Sequence, residues 1–173
     1  MTHAELAISI DQICHLKGDF LLRSGSRSHE YFDKYRFESQ PILLKEIAEH
    51  MKKLIPKDTE ILAALEMGGI PIGTALSLAT GLPCAFIRKS AKEYGTCQFA
   101  EGIDVKGKKL CIIEDVITSG GQVLLSAADL RSLEADVRNV ICVINRGGPE
   151  AEAKLKNANL SLGSLFTRTD FGK

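Results

Sequence analysis

Residues 110–121 read Leu-Cys-Ile-Ile-Glu-Asp-Val-Ile-Thr-Ser-Gly-Gly. An apolar run without polar alternation fits a strand covered on both faces, as in parallel sheets flanked by helices. Glu114 and Asp115 stand where that strand is expected to end. Thr118, Ser119, Gly120 and Gly121 then lead into a helix-like stretch from Gln122 to Leu133. Glycines let the backbone approach a phosphate, and the N–H groups and dipole of a first helical turn favour its charge. Two carboxylates repel that phosphate, so they need another partner, either sugar hydroxyls or a metal ion. A solvated strand–turn–helix junction is the plain alternative. The four elements in this order favour an anion cradle beside a polyol grip.

The rest of the chain repeats the strand-and-helix alternation. A helix is expected near 4–16, followed by extended pieces near 18–23 and 29–37. Next come a helix near 41–54, a strand at 60–65, a helix at 69–80 and a strand at 83–88. Beyond a polar stretch (89–107) the pattern gives strand 109–114, helix 120–133, strand 137–144, helix 149–157 and strand 160–166. Strands alternating with helices predict an α/β fold, a central mainly parallel sheet with helices on both faces. No repeat or linker divides the 173 residues, so one domain, 1–173, is expected. Ligands in such sheets bind at the carboxyl ends of the strands, where Glu66, Arg88, Asp115 and Arg146 fall.

Charge excludes some functions. Lysine plus arginine total 22 and aspartate plus glutamate 22, so no net basic field points to nucleic acid. Arg88, Lys89 and Lys92 do cluster, which suits a small polyanion. The stretch 61–87 carries only Glu66 as a charge, but Gly68-Gly69, Pro71, Gly81 and Pro83 break it into pieces too short for a bilayer helix. Five cysteines without a C-x-x-C pair, and no leader-like N-terminus, lead us to expect a reduced, cytoplasmic protein. The four scattered histidines have no zinc-ligand spacing.

Segment 89–107 is rich in lysine and glycine and offers little to anchor a core. Either it is a solvated β-ribbon or it is a mobile lid that carries lysines onto a charged ligand. Gly68 to Thr74 has the glycine spacing of a nucleotide-triphosphate loop but lacks the lysine, which removes that reading.

Residues 111–122 resemble the phosphoribosyl-diphosphate signature of type I phosphoribosyltransferases. Four further blocks, in family order, resemble orotate phosphoribosyltransferases. Residues 18–33 are similar to their N-terminal hood, 65–71 to the diphosphate-contacting loop, 86–96 to the catalytic loop, and 144–148 to the segment that supplies a base-contacting arginine. The resemblance implies a hood over 1–40, a mobile catalytic loop over 89–107, and transfer of phosphoribose from 5-phosphoribosyl 1-diphosphate to orotate with Mg2+. It gives Glu114 and Asp115 the ribose 2′- and 3′-hydroxyls, and Thr118, Ser119, Gly120, Gly121 and Gln122 the 5′-phosphate. Magnesium is held mainly by substrate oxygens and water, with no direct protein ligand.

It also places Glu66, Gly68, Gly69 and Lys89 at the diphosphate and Arg146, Thr118, Tyr31 and Phe32 at orotate. Arg88, Lys92 and Asp115 form the catalytic set, with Arg88 and Lys92 reaching a neighbour's site across a homodimer. Arg23 adds charge near orotate or diphosphate, or else is a solvated surface arginine. Two departures stand out: Tyr94 occupies a position that is histidine in many relatives, and Asn145-Arg146 replaces the usual Asp-Arg. Rival readings are a related enzyme for another base, such as a purine, and a regulator that senses phosphoribosyl diphosphate. The hood around Tyr31-Phe32 argues against the first. Retention of Lys92, with no DNA-binding extension in evidence, argues against the second.

Overall fold

The computed structural model describes residues 1–22, 25–90 and 99–171. Arg23, Lys92, Tyr94 and residues 91–98 of the proposed lid therefore lie outside the described residues. In chain order the elements are α1 (His3–Cys14), β1 (His15–Leu21), β2 (Arg27–Phe32), α2 (Tyr35–Glu38), α3 (Pro41–Met51), β3 (Ile61–Leu65), α4 (Gly69–Thr80) and β4 (Cys84–Ile87). They continue with β5 (Ala100–Glu101), β6 (Lys109–Ile117), α5 (Gly121–Ser132), β7 (Asp136–Asn145), α6 (Gly148–Asn157) and β8 (Ser161–Thr167).

Strands β1 and β2 make an antiparallel hairpin of their own. The other six form one sheet in the order β5-β4-β3-β6-β7-β8, parallel throughout except for the short edge strand β5. Strand β3 is apolar at every position, as are Leu110–Ile113 of β6 and Val140–Ile144 of β7, yet side chains still alternate between faces. On β6, Leu110 and Ile112 pack with Val123, Ala127 and Leu130 of α5 and Leu155 of α6. Its neighbours Cys111 and Ile113 pack on the other face with Leu6 and Ile10 of α1, Ile47 of α3 and Leu76 of α4. Coverage of both faces explains the absence of polar alternation that the sequence shows.

Local chemistry sets the helix limits. Thr2 and Glu5 form a capping box at the start of α1. Pro41 opens α3, and Gly81 ends α4 in the left-handed region at φ 77°. Buried Cys14, Cys111 and Cys142 and half-buried Cys84 are all free, and burial pushes each thiol up, Cys84 to about 11 and Cys14 to about 12. They act as small apolar side chains rather than nucleophiles.

Several expectations need correction. The extended piece near 29–37 ends at Phe32, and Tyr35–Glu38 is a helical turn that buries Phe37. The polar stretch 89–107 does reach the core, since β5 joins the sheet and Ala100 and Val105 are buried. Strand β6 runs to Ile117, three residues past its expected end, because its backbone keeps pairing with β7 as far as Asn145. That extension places Glu114 and Asp115 inside a strand, where adjacent side chains point to opposite faces.

Candidate active site

Sheet register brings the site residues to one end of the molecule. Glu66 follows β3, Arg88 follows β4, Thr118 follows β6 and Arg146 follows β7. The turn after β6 is shaped by Gly120, at φ 74°, which caps α5. Ser119 Oγ accepts the Gly121 N–H at 3.4 Å. Glu114, Thr118, Ser119, Gly120, Gly121 and Gln122 line a cavity of about 280 Å³. The first N–H groups of α5 have no partner within the helix, so a cavity at this end suits an anion.

Beside this cradle lies a second cavity of about 440 Å³, lined by Tyr31, Phe32, Arg146 and Phe171 among others. The Arg146 guanidinium sits 5.7 Å from the centre of the Phe32 ring, a separation that suits a cation–π contact. Phe32 is in turn edge-on to Phe171, which packs on Phe166. The β1–β2 hairpin is thus tied to the sheet through aromatic rings. Tyr31 pairs with Phe20 at 5.5 Å.

The two cavities share a wall. The N–H groups of Arg146 and Gly147 donate to the Ile117 carbonyl at 2.8 and 3.2 Å. A Cβ at Gly147 would stand 1.7 Å from the Thr118 carbonyl oxygen, so this approach requires glycine. Asn145, the departure from the usual aspartate, is buried and organises the turn. Its Oδ1 accepts the N–H groups of Gly147 and Gly148, and its Nδ2 donates to Glu152 at 2.8 Å. An aspartate could accept those two N–H groups but could not donate to Glu152.

At the ends of β3 and β4, Glu66 Oε1 accepts the Lys89 backbone N–H at 2.6 Å, joining the loop after β3 to the one after β4. Lys89 itself is exposed. Arg88 lies 3.9 Å from Glu101 of β5, at the sheet edge. Gly68 and Gly69 are held tightly: a Cβ on Gly69 would meet the Ile113 carbonyl at 2.3 Å, and one on Gly68 would meet Asp115 Oδ2 at 1.7 Å.

The two adjacent carboxylates part company. Glu114 borders the cradle, and its Oε2 accepts the Asp115 N–H at 3.1 Å. Burial and the Asp115 charge push its pKa up to about 8. Asp115 is 0% exposed. Its Oδ1 accepts the Val116 N–H at 2.5 Å, and its Oδ2 is ion-paired with Lys34 Nζ at 2.5 Å. The direct ribose contact expected of Asp115 is therefore not open in this arrangement: Gly68 covers the carboxylate and Lys34 holds it. Lys34 and Glu38 are the residues the sequence reading missed. Only the α2 turn, which the sequence read as extended chain, carries them down to β6.

Residues 35–159 match the family model described as a phosphoribosyl transferase domain. An orotate phosphoribosyltransferase of Nocardioides sp. is 47% identical over 167 residues, spanning 96% of this chain and 93% of that one. The chain belongs to the orotate phosphoribosyltransferase family. It is thereby a transferase of pentosyl groups. Among solved structures, the orotate phosphoribosyltransferase of Mycobacterium tuberculosis H37Rv in complex with Fe(III) dicitrate superimposes with a TM-score of 0.88. It shows 27% identity and 99% coverage of both chains. The same enzyme in complex with 5-phospho-alpha-D-ribosyl 1-diphosphate gives a TM-score of 0.81 at 25% identity, covering 97% of each chain. For an orotate phosphoribosyltransferase, an anion cradle adjoining an arginine-bearing pocket is the arrangement its two substrates demand.

Proposed function

We propose that the protein transfers the 5-phosphoribosyl group from 5-phosphoribosyl 1-diphosphate to orotate, releasing diphosphate and forming orotidine 5′-monophosphate for UMP synthesis. The observation that carries this reading is the shared wall between cradle and pocket. It puts the turn proposed to seat the 5′-phosphate and the arginine proposed to bind the carboxylate at the ends of neighbouring strands, β6 and β7.

In the reaction the ribose C1–O bond to diphosphate breaks, a bond from C1 to an orotate ring nitrogen forms, and that nitrogen gives up its proton to the departing diphosphate. Positive charge develops on the ribose and negative charge on the leaving group, so catalysis is chiefly positioning and electrostatics. The Thr118–Gln122 turn seats the 5′-phosphate, and Glu114 accepts a hydrogen bond from a ribose hydroxyl. Gly68, Gly69 and Lys89 face the diphosphate, with Arg88, Lys92 and Arg23 as further cations. Arg146 grips the orotate carboxylate with its two-pronged donor set, against the Phe32 ring.

Among the described residues no group of three or more His, Cys, Asp or Glu is arranged to hold a metal ion. Magnesium would be held on substrate and water oxygens, with no direct protein ligand. When bound, it neutralises charge on the departing diphosphate. A second copy of the chain completes the site in this proposal. Exposed apolar Leu78 on α4 and Phe86 on β4 support such an association. Free, buried cysteines support a cytoplasmic location.

The test is nucleotide formation from phosphoribosyl diphosphate and magnesium with orotate, uracil, adenine, guanine or hypoxanthine. Turnover with orotate alone is expected, and turnover with a purine instead would overturn the assignment. Replacing Arg146 by alanine is expected to raise the orotate KM about ten- to a hundredfold, the scale for hydrogen bonds to a charged group. The KM for phosphoribosyl diphosphate stays nearly unchanged. Equal effects on both would remove Arg146 from the base pocket.

A further inference from the structure

Two segments distant in sequence from β6 meet at one buried carboxylate on it. From the connection between hairpin and α3, Lys34 Nζ reaches Asp115 Oδ2 at 2.5 Å. From α2, Glu38 is buried nearby. From the loop before α4, Gly68 lies so close that no side chain fits between it and Asp115. The Lys34 ammonium is paired with Asp115, feels the charge of Glu114 on β6, lies 5.2 Å from the centre of the Tyr35 ring of α2, and acts in turn on Glu38 of α2. Cys142 on β7 also feels the charges of Glu114 and Asp115, but burial keeps its thiol protonated.

We propose that Lys34 is a positioning residue for phosphoribosyl-diphosphate binding. It pins Asp115 beneath the Gly68 loop and supplies a cation that keeps Glu114 able to accept a ribose hydroxyl. This rests on the ribose-binding role given to Glu114 above.

The electrostatics follow from the geometry. Burial alone would lower the Lys34 pKa, yet it is raised because the ion pair with Asp115 outweighs burial. Burial, then Asp115, pushes Glu38 up to about 9, so Glu38 is protonated at neutral pH and adds no charge to the cluster. Lys34 opposes the upward shift of Glu114. Glu114 gains its negative charge as pH rises through about 8. Removing the ammonium raises that value further, so substrate binding recovers only at higher pH. A lysine that merely filled space would not move this limb.

The pH dependence of kcat/KM for phosphoribosyl diphosphate reports groups of the free enzyme. It is to be measured with saturating orotate and magnesium for the wild type and for Lys34→Met, Lys34→Arg and Glu114→Gln. In Lys34→Met the rising limb is expected to move up by about one pH unit, the scale for losing an opposite charge nearby. At pH 7 this corresponds to about a tenfold rise in KM for phosphoribosyl diphosphate, with the orotate KM little changed. Lys34→Arg, which keeps the charge, retains the wild-type limb, and Glu114→Gln abolishes it.

An unshifted limb in Lys34→Met, with or without weaker binding, overturns the proposal. If Glu114→Gln keeps wild-type binding and limb, the ribose role of Glu114 fails first and the Lys34 proposal falls with it. If Glu114→Gln loses binding while Lys34→Met matches the wild type, the ribose role stands and only the Lys34 proposal is lost. Should the methionine variant not fold, as judged by circular dichroism, Lys34→Gln carries the same two outcomes with a polar stem.

Discussion

Gly68→Ala is expected to lower kcat/KM for phosphoribosyl diphosphate by about 100-fold or more, the scale for a misplacement of about 1 Å at a reacting centre. Gly68 has ordinary right-handed backbone angles, φ −68° and ψ −29°, so alanine brings no conformational strain of its own. The cost is steric. The new methyl would stand 1.7 Å from Asp115 Oδ2 and 2.3 Å from its Cγ. Asp115 has nowhere to go, because the Val116 N–H and the Lys34 ammonium hold its two oxygens. The loop must therefore lift, which moves the backbone that faces diphosphate. Overpacking of this kind costs about 1–3 kcal/mol, or a Tm loss of roughly 2–12 °C for a chain of this size. Calorimetry and steady-state kinetics at one temperature check both numbers. A folded Gly68→Ala enzyme with near-normal kcat/KM would show that the loop does not touch the substrate.

Lys92→Ala is expected to lower kcat by about 10²–10³-fold, the scale for losing one preorganised donor aimed at developing charge. The expectation comes from the leaving group, a polyanion that needs a cation at departure, and from the lysine loop over 86–96. If that lysine serves the partner's site, mixed Lys92→Ala and Glu114→Gln subunits regain activity, because one site in each mixed dimer is intact. Single-turnover and mixing assays, with subunit exchange confirmed by mass, measure both effects. Near-normal turnover of Lys92→Ala would remove the lysine from catalysis. Absence of recovery on mixing would place it in its own subunit's site.

Much of the framework was legible because it depends on local pattern. Continuous apolar runs at β3, β6 and β7 required cover on both faces, and Gly81 and Gly120 marked turns that only glycine adopts easily. The cradle was legible for the same reason, since a turn and a helix start are contiguous in sequence. Asn145 was legible only as an oddity. Its two accepted N–H groups and its donation to Glu152 appear only when the turn after β7 folds back onto α6.

By itself, the sequence determined the α/β alternation, the helix and strand limits to within a few residues, the phosphate-seating turn, and a family signature spread over nearly the whole chain. Tertiary structure decided the fate of the acidic pair. Whether a strand stops at Glu114 or runs to Ile117 depends on backbone pairing with β7, which no local pattern records. Because that strand runs on, Glu114 borders the cradle while Asp115 turns inward to Lys34, more than 80 residues away in the chain. Long-range pairing set the direction of each carboxylate, and burial then set its charge.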